Sequence, residues 1–181
     1  MIGVSDARRN DMGAPIGAAR RHQGAVAGRM WRFTRDPRQL EELVHEVFVE
    51  AYFSLSGYRG RAPFAHWLNR VATRVGYRFW KRRRRADRAA APLADWDTVA
   101  AEPPPPAEAG ELLHRLLGQL GPRDRLVLTL IYLEGHSVAE TTDLTGWSRT
   151  LVKVQAHRAR KRLRALLERA GAGRENGPWT S

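Results

Sequence analysis

The sequence contains no cysteine. Disulfides, thiolate zinc sites and cysteine nucleophiles are therefore excluded, and nothing argues for secretion. No apolar run approaches the roughly 20 residues of a membrane-spanning helix. Met1–Gln23 also lack the hydrophobic core of a signal peptide. We expect a cytoplasmic protein without a membrane span.

Motifs for catalysis are missing as well. The six histidines are scattered, and Val49 stands where a second histidine would complete a zinc-protease pattern begun by His45-Glu46. There is no glycine-rich phosphate loop and no G-x-S-x-G motif. The sequence therefore predicts no enzymatic activity, no cofactor and no metal.

Acidic residues are outnumbered by basic ones. The chain has 31 Lys and Arg against 19 Asp and Glu, a formal net charge of +12. An excess of this size favours contact with a polyanion, and the alternative is a basic surface that is merely solvated. The location of the charges decides more than their total.

Composition divides the 181 residues into segments. The stretch between the two basic blocks contains four consecutive prolines, Pro103–Pro106, and no Lys or Arg, which is typical of a linker. We predict a disordered lead-in at 1–16, a first helical domain at 17–88, an acidic Pro-rich linker at 89–110, a second helical domain at 111–170 and a loose tail at 171–181.

Apolar spacing predicts helices throughout the first domain. Asp36-Pro37 is a start signal for a helix that ends at Ser56-Gly57. A second helix starts at Pro63, and an earlier one is suggested by Val26, Met30 and Phe33. The apolar positions expected to face the core are Leu40, Leu43, Val44, Val47, Phe48, Ala51, Tyr52 and Leu55, then Phe64, Trp67, Leu68, Val71, Ala72 and Val75.

The second domain has the pattern of a helix-turn-helix. Gly121-Pro122 separates a leucine stripe (Leu112, Leu113, Leu116, Leu117, Leu120) from a helix carrying Leu126, Val127, Leu130, Ile131 and Leu133. A short helix at about 137–145 leads through Gly146 to a long helix at about 148–169, capped by Ser148. No region alternates with period two, so the predicted fold class is all-α, with two small helical domains.

Three surfaces are candidates for function. The last helix carries seven Lys or Arg between Arg149 and Arg164 without an acid, which suits DNA recognition, although a basic surface helix of an ordinary bundle is the alternative. Lys81–Arg85 follow Tyr77 and Trp80, and rings beside cations suit single-stranded nucleic acid. A favourable helix dipole or a nuclear targeting signal would also explain that basic run.

The third candidate surface is acidic and lies on the helix at 40–55. Its residues are Glu41, Glu42, His45, Glu46 and Glu50, with Val49 and Phe53 beside them and outside the core stripe. In so basic a protein, an acidic strip with apolar neighbours suits a protein partner. The alternative is a solvated helix face.

Two parts of the chain resemble the sigma-70 family in its extracytoplasmic-function (ECF) form. Residues 36–82 are similar to region 2, through Glu42–Phe48, Tyr58–Ala62, Phe64, Trp67-Leu68 and Val71-Ala72. Residues 111–168 are similar to region 4, through Leu120–Arg125, Leu133–Ser137, Val152-Lys153 and His157–Arg164. The order and spacing of these stretches make the combined resemblance specific.

The resemblance implies a sigma factor that takes core RNA polymerase to promoter DNA and helps to melt it. The β′ clamp helices would contact Glu42, His45, Glu46, Val49 and Glu50, and the β flap would lie near the helix at 122–133. The −10 element would be read from the loop at 56–63 and the helix at 64–82, through Tyr58, Arg59, Arg74, Tyr77, Arg78, Trp80 and Lys81. The −35 element would meet Arg149, Thr150, Lys153, Val154, His157 and Arg158.

Some residues depart from the family pattern. Arg74 and Arg78 replace a frequent Asn and Asp, His45 stands where Gln is usual, and Thr141-Thr142 replace an Ile-Ala type pair. An anti-sigma factor is a further candidate partner. The competing hypothesis is a DNA-binding regulator that uses the same helix-turn-helix without polymerase, although no dimerisation heptad is evident.

Overall fold

The computed structural model describes residues 15–90 and 106–170, which contain helices and turns and no strand. This confirms the all-α prediction. The helices are α1 Pro15–Met30, α2 Pro37–Ser54, α3 Phe64–Ala90, α4 Pro106–Gln119, α5 Pro122–Leu128, α6 Val138–Thr145 and α7 Arg149–Arg169, with a 3-10 turn at Leu55–Gly57 and a π-helical turn at Thr129–Leu133.

The described chain forms two compact units. The first holds α1, α2 and most of α3, and the second holds α4, α5, α7 and most of α6. Helix α3 continues to Ala90 and α4 begins at Pro106. Both helices therefore run into the linker predicted at 89–110 and shorten it from either end. The predicted lead-in before Pro15, most of the linker and the tail at 171–181 lie outside the described residues.

Helix α2 begins as the sequence predicts. The Asp36 carboxylate accepts a hydrogen bond from the Arg38 backbone N–H at 2.9 Å, and Pro37 occupies the first helical position. Leu43, Val47 and Ala51 are buried along one side.

The prediction that Tyr52 faces the core is wrong, because its side chain is 63% exposed. Tyr52 lies seven residues after His45 and three after Val49, and both of these face solvent. The helical rotation of about 100° from Ala51 to Tyr52 therefore carries the ring from the buried side to the exposed side.

Helix α3 buries Leu68, Val71, Ala72 and Val75, as predicted. The prediction that Trp80 lies off the core and is available to bases is wrong, because its side chain is only 3% exposed. Its indole N–H donates to the Phe33 carbonyl at 2.8 Å, and the two rings are 4.4 Å apart. The turn after α1 covers a side of α3 that helical periodicity alone leaves open.

Gly76 allows this turn to approach α3 closely. A Cβ placed on Gly76 would overlap the Phe33 ring, which is itself 2% exposed and held against Trp80. The absence of a side chain at Gly76 is therefore a packing requirement, since the buried ring has little room to move.

The second unit packs around Leu117, Leu120, Val127, Leu128, Val152, Ala156 and Ala159. Gly135 and Gly146 adopt left-handed φ angles of 71° and 73°, which glycine tolerates without strain. Ser137 and Glu140 form a reciprocal capping box at the start of α6. The Ser148 side chain accepts from the Leu151 N–H at 3.2 Å and caps α7, which confirms the helix-turn-helix.

Asp124 sets the rotation of α7 about its axis. Its side chain is 1% exposed and accepts hydrogen bonds from Gln155 and Arg162, both on α7. A buried carboxylate without partners costs several kcal/mol in proteins. Both donors must therefore face α5, and the opposite side of α7 faces outward.

We expect Gly76→Ala to lower the free energy of unfolding of the first unit by about 1–3 kcal/mol, because the added methyl group overpacks the Phe33 ring. The measurement is thermal or denaturant unfolding of the full chain followed by circular dichroism. Gly28→Ala is the matched control, since nothing lies within 4 Å of its added Cβ in α1. That variant should gain about 0.5–1 kcal/mol from helix propensity, and equal losses in both would contradict the packing argument.

Candidate nucleic-acid and protein interfaces

One face of α7 is presented to solvent as the sequence predicts. All six residues proposed for base and phosphate contacts are exposed: Arg149, Thr150, Lys153, Val154, His157 and Arg158. Their spacing follows i, i+1, i+4, i+5, i+8 and i+9, which places them together on one side of a helix. Val152, Gln155, Ala156 and Ala159 are buried on the other side.

Arg162 has a different role from these six residues. Its guanidinium donates to the buried Asp124 carboxylate. One positive charge of α7 is therefore paired with a carboxylate within the second unit. The exposed cations nearest the capped start of α7 are Arg149 and Lys153. The first turns of a helix that follows such a turn are the part that typically enters a DNA groove.

The solvent side of α3 forms a second basic surface. Arg74 and Lys81 are exposed, Tyr77 is half-buried, and the Lys81 ammonium lies 5.8 Å from the centre of the Tyr77 ring. Arg70 is exposed four residues before Arg74 and continues the same row. Sequence reasoning omitted Arg70, although its spacing to Arg74 and Tyr77 would have identified it.

The loop before α3 is held by Tyr58. Its hydroxyl donates to the Ala62 carbonyl at 2.7 Å, and its ring lies 5.3 Å from Trp67 and 5.7 Å from Phe64. Arg59 is exposed, and Gly60 adopts a left-handed φ of 67°. The Tyr58 hydroxyl is thus used in shaping the loop, while Arg59 projects from it.

Two residue sets that the sequence assigned to different partners pair with one another. Arg78, assigned to nucleic acid, contacts Glu46 at 3.4 Å and also pairs with Glu50, and both glutamates were assigned to a protein partner. Arg82 holds the other Glu46 oxygen at 2.9 Å. We call these four residues the α2–α3 clasp. Arg78, which the resemblance marks as a departure from the family pattern, provides two of the ion pairs of the clasp.

The clasp changes the ionisation of its members. The hydrogen bond from Arg82 lowers the pKa of Glu46, against the opposing effect of partial burial, and Arg78 adds to the lowering. The hydrogen bond to Glu50 raises the pKa of Arg78. Both shifts favour the charged forms of Glu46 and Arg78, and the ion pairs of the clasp join α2 to α3 along one edge.

The outward side of α2 lies beside the clasp. Its exposed residues run from an acidic start to an apolar end: Glu41, Glu42, His45, Val49, Tyr52 and Phe53. Phe53 is 77% exposed, and its ring meets that of Tyr52 edge-on at 5.7 Å. Two adjacent exposed rings beside an acidic strip suit contact with another protein. We call this set the α2 stripe.

Within residues 15–90 and 106–170 no group of three or more His, Asp or Glu side chains is arranged to hold a metal ion. Across the same two stretches, every helix is too short or too polar to cross a bilayer.

A two-unit helical chain with a capped helix-turn-helix and an outward basic face defines a nucleic-acid-binding protein. Comparison with known families narrows this class. Sigma-70 region 2 matches residues 18–86, and Sigma-70 region 4 matches residues 110–163. The ECF RNA polymerase sigma factor SigF of Caulobacter vibrioides is 33% identical over 142 residues, which cover 78% of this chain and 78% of SigF. The chain therefore belongs to the sigma-70 family, in its ECF group.

Solved structures agree with this assignment. The structure of CnrH in complex with the cytosolic domain of CnrY matches with a TM-score of 0.60 and 26% identity, covering 91% of this chain and 94% of that one. The sigma factor RpoE of Bartonella quintana, solved with the anti-sigma factor NepR, matches with a TM-score of 0.56 over 91% of this chain and 98% of that chain. At 17% identity, the second match supports the fold alone.

The clasp predicts a pH dependence of stability. Because the folded-state pKa of Glu46 lies below its ordinary value of 4.5, the clasp contributes stability above that value and loses it as the pH falls through the folded-state pKa. Glu46→Gln should flatten this part of the curve of unfolding free energy against pH, measured by urea denaturation from pH 7 to about pH 3.

Glu41→Gln is the matched control, because Glu41 is an exposed carboxylate of the same helix outside the clasp. It should keep the wild-type pH profile. If Glu46→Gln also keeps that profile, the ion pairs with Arg78 and Arg82 make no measurable contribution.

Proposed function

We propose that this chain is a sigma factor that binds core RNA polymerase, recognises the −10 and −35 promoter elements and helps to melt DNA at the start of transcription. The observation that carries the proposal is the common exposure of Arg149, Thr150, Lys153, Val154, His157 and Arg158 on a capped recognition helix. The protein acts in the cytoplasm, where promoter DNA is, and performs no catalysis of its own. Residues 17–88 and 111–170 are its two DNA-contacting domains, joined by the linker at 89–110.

In the second domain, α7 enters the major groove of the −35 element. Arg149 and Lys153 are long, exposed donors near the start of the helix, and Arg or Lys commonly bonds to the O6 and N7 atoms of guanine. The Asp124 pairs hold the helix in one rotational setting, so that these donors point away from the core.

In the first domain, the −10 element lies along the solvent side of α3 and the loop before it. Arg74 and Lys81 face the phosphates, and the Tyr77 ring offers a surface on which a base can stack. Trp80 is not part of this surface, because it is buried. Arg78 contributes through the clasp, and Arg59 reaches from the loop.

The α2 stripe is the surface for the polymerase clamp helices. Glu42, His45 and Val49, which the family resemblance implies as polymerase contacts, are exposed on this stripe. Tyr52 and Phe53 add exposed apolar area to the stripe. Glu46 and Glu50 lie at its edge, where the clasp holds them. An anti-sigma factor is a further partner in this proposal, because CnrH, 26% identical to this chain, was solved with a protein partner, the cytosolic domain of CnrY.

The decisive experiment reconstitutes this chain with core RNA polymerase. Selection of bound DNA from a random library, followed by sequencing, identifies the promoter, and transcription from that promoter is then measured in vitro. A sigma factor makes initiation depend on both the chain and the promoter. The alternative, a regulator without polymerase, would select a palindrome on its own and support no initiation.

We expect Arg149→Ala to weaken promoter-dependent initiation by about 5- to 150-fold, since one good base contact contributes about 1–3 kcal/mol of discrimination. The selected −35 sequence should relax at a single position. Arg169→Ala removes the same charge at the far, exposed end of α7 and should change initiation by less than about threefold. Equal effects of the two variants would argue for an unspecific electrostatic role.

Phe53→Asp should weaken binding to core polymerase by about 30-fold, because an aromatic hot-spot contact contributes about 2 kcal/mol or more. Affinity is measured by competition with a labelled wild-type chain. Ala25→Asp places the same charge at an exposed position of α1 and is the control. Glu42→Lys tests the acidic end of the stripe separately. Wild-type affinity in both Phe53→Asp and Glu42→Lys would exclude the α2 stripe as the polymerase contact.

A further inference from the structure

The turn between α1 and α2 carries an aromatic ring that the proposed contacts do not use. Trp31 is 40% exposed, and the Arg35 guanidinium lies 5.8 Å from the centre of its ring. The neighbouring aromatic residue, Phe33, is 2% exposed and fills the core instead. The Phe33 ring therefore faces α3, whereas the Trp31 ring faces solvent.

This turn is held rigidly from several directions. The Phe33 carbonyl accepts from the Trp80 indole, as described above, and Thr34, 3% exposed, donates to the Gln39 side chain at 3.1 Å. Gln39 also accepts from Arg83 on α3 at 3.3 Å. Because the backbone on both sides of the ring is fixed, Trp31 is presented in a defined place, and binding to it requires little ordering of the loop.

The surroundings of Trp31 are strongly basic. Residues 29–38 contain the four arginines Arg29, Arg32, Arg35 and Arg38 and a single acid. That acid, Asp36, uses one oxygen to cap α2 and the other to accept from Gln39 at 3.0 Å. Arg32 and Arg38 are exposed in this stretch, so an anionic ligand meets positive charge close to Trp31 in the chain.

We propose that Trp31 and Arg35 form a second stacking site for an unpaired base of single-stranded DNA, apart from the Tyr77–Lys81 pair on α3. The indole face stacks on the base, and the exposed Arg32 and Arg38 contact the adjoining phosphates. The proposal deepens the function proposed above, because a melted promoter strand is the natural source of such a ligand. An acidic protein would meet the same charge, but it would not require a flat, exposed ring.

The test does not depend on polymerase or on a known promoter. The full chain is titrated at low salt with a dye-labelled 20-nucleotide oligo(dT), followed by anisotropy, and in parallel with a labelled duplex. Trp31→Ala should weaken binding to oligo(dT) about 5- to 100-fold, the range for removing one stacked base, and should leave duplex binding within about twofold. Trp31→Phe retains a ring and should stay within about threefold of wild type.

Two further measurements separate stacking from folding. Gly28→Ala changes an exposed position of α1 in the same unit and should leave oligo(dT) affinity unchanged. An oligo(dT) with one 5-iodouracil should crosslink to Trp31 under ultraviolet light. Unchanged affinity in Trp31→Ala, a parallel loss for duplex, or the absence of any crosslink to Trp31 would overturn the proposal. The oligo(dT) titration contains no core polymerase, so a negative result for Trp31 leaves the sigma-factor proposal intact. If reconstituted transcription fails, the oligo(dT) titration still reports whether Trp31 binds single-stranded DNA.

Discussion

The packing of Phe33 against Gly76 and Trp80 fixes the geometry of the first unit. A buried ring, a missing side chain and an indole hydrogen bond together dock the turn after α1 onto α3. This docking determines where α2 begins, because Thr34 and Asp36 shape the start of that helix from within the same turn. It also leaves the side of α3 that carries Arg74, Tyr77 and Lys81 facing solvent.

In the second unit, Asp124 fixes the rotation of α7 about its axis. A capped helix can still rotate about its axis, and apolar packing of small residues such as Ala156 and Ala159 resists that rotation weakly. Two donors converging on one buried carboxylate define the angle more sharply, because the hydrogen bonds are directional. The orientation of the recognition face thus depends on a polar contact in the interior.

The sequence was sufficient for the elements that follow from local chemistry. Apolar spacing, the Asp36 and Ser148 caps and the left-handed Gly146 predicted the helices and the helix-turn-helix. The family resemblance, which the comparisons confirm, supplied the partners. The wrong predictions concern tertiary contacts. Trp80 lies in the core because a turn that is distant in the chain covers it. Tyr52 lies on the surface because the buried side of α2 is narrower than its apolar residues suggest. The α2–α3 clasp was likewise hidden, since its charges lie about 30 residues apart in the chain.

The ion pairs inside the two units also bear on how binding to DNA is read from its salt dependence. Arg78, Arg82 and Arg162 already have carboxylate partners within the protein. A cation neutralised in this way displaces fewer condensed counterions when the protein meets a phosphate backbone. The slope of log affinity against log salt therefore reports a smaller number of contacts than the arginine-rich composition suggests, and a modest slope is compatible with an extensive DNA interface.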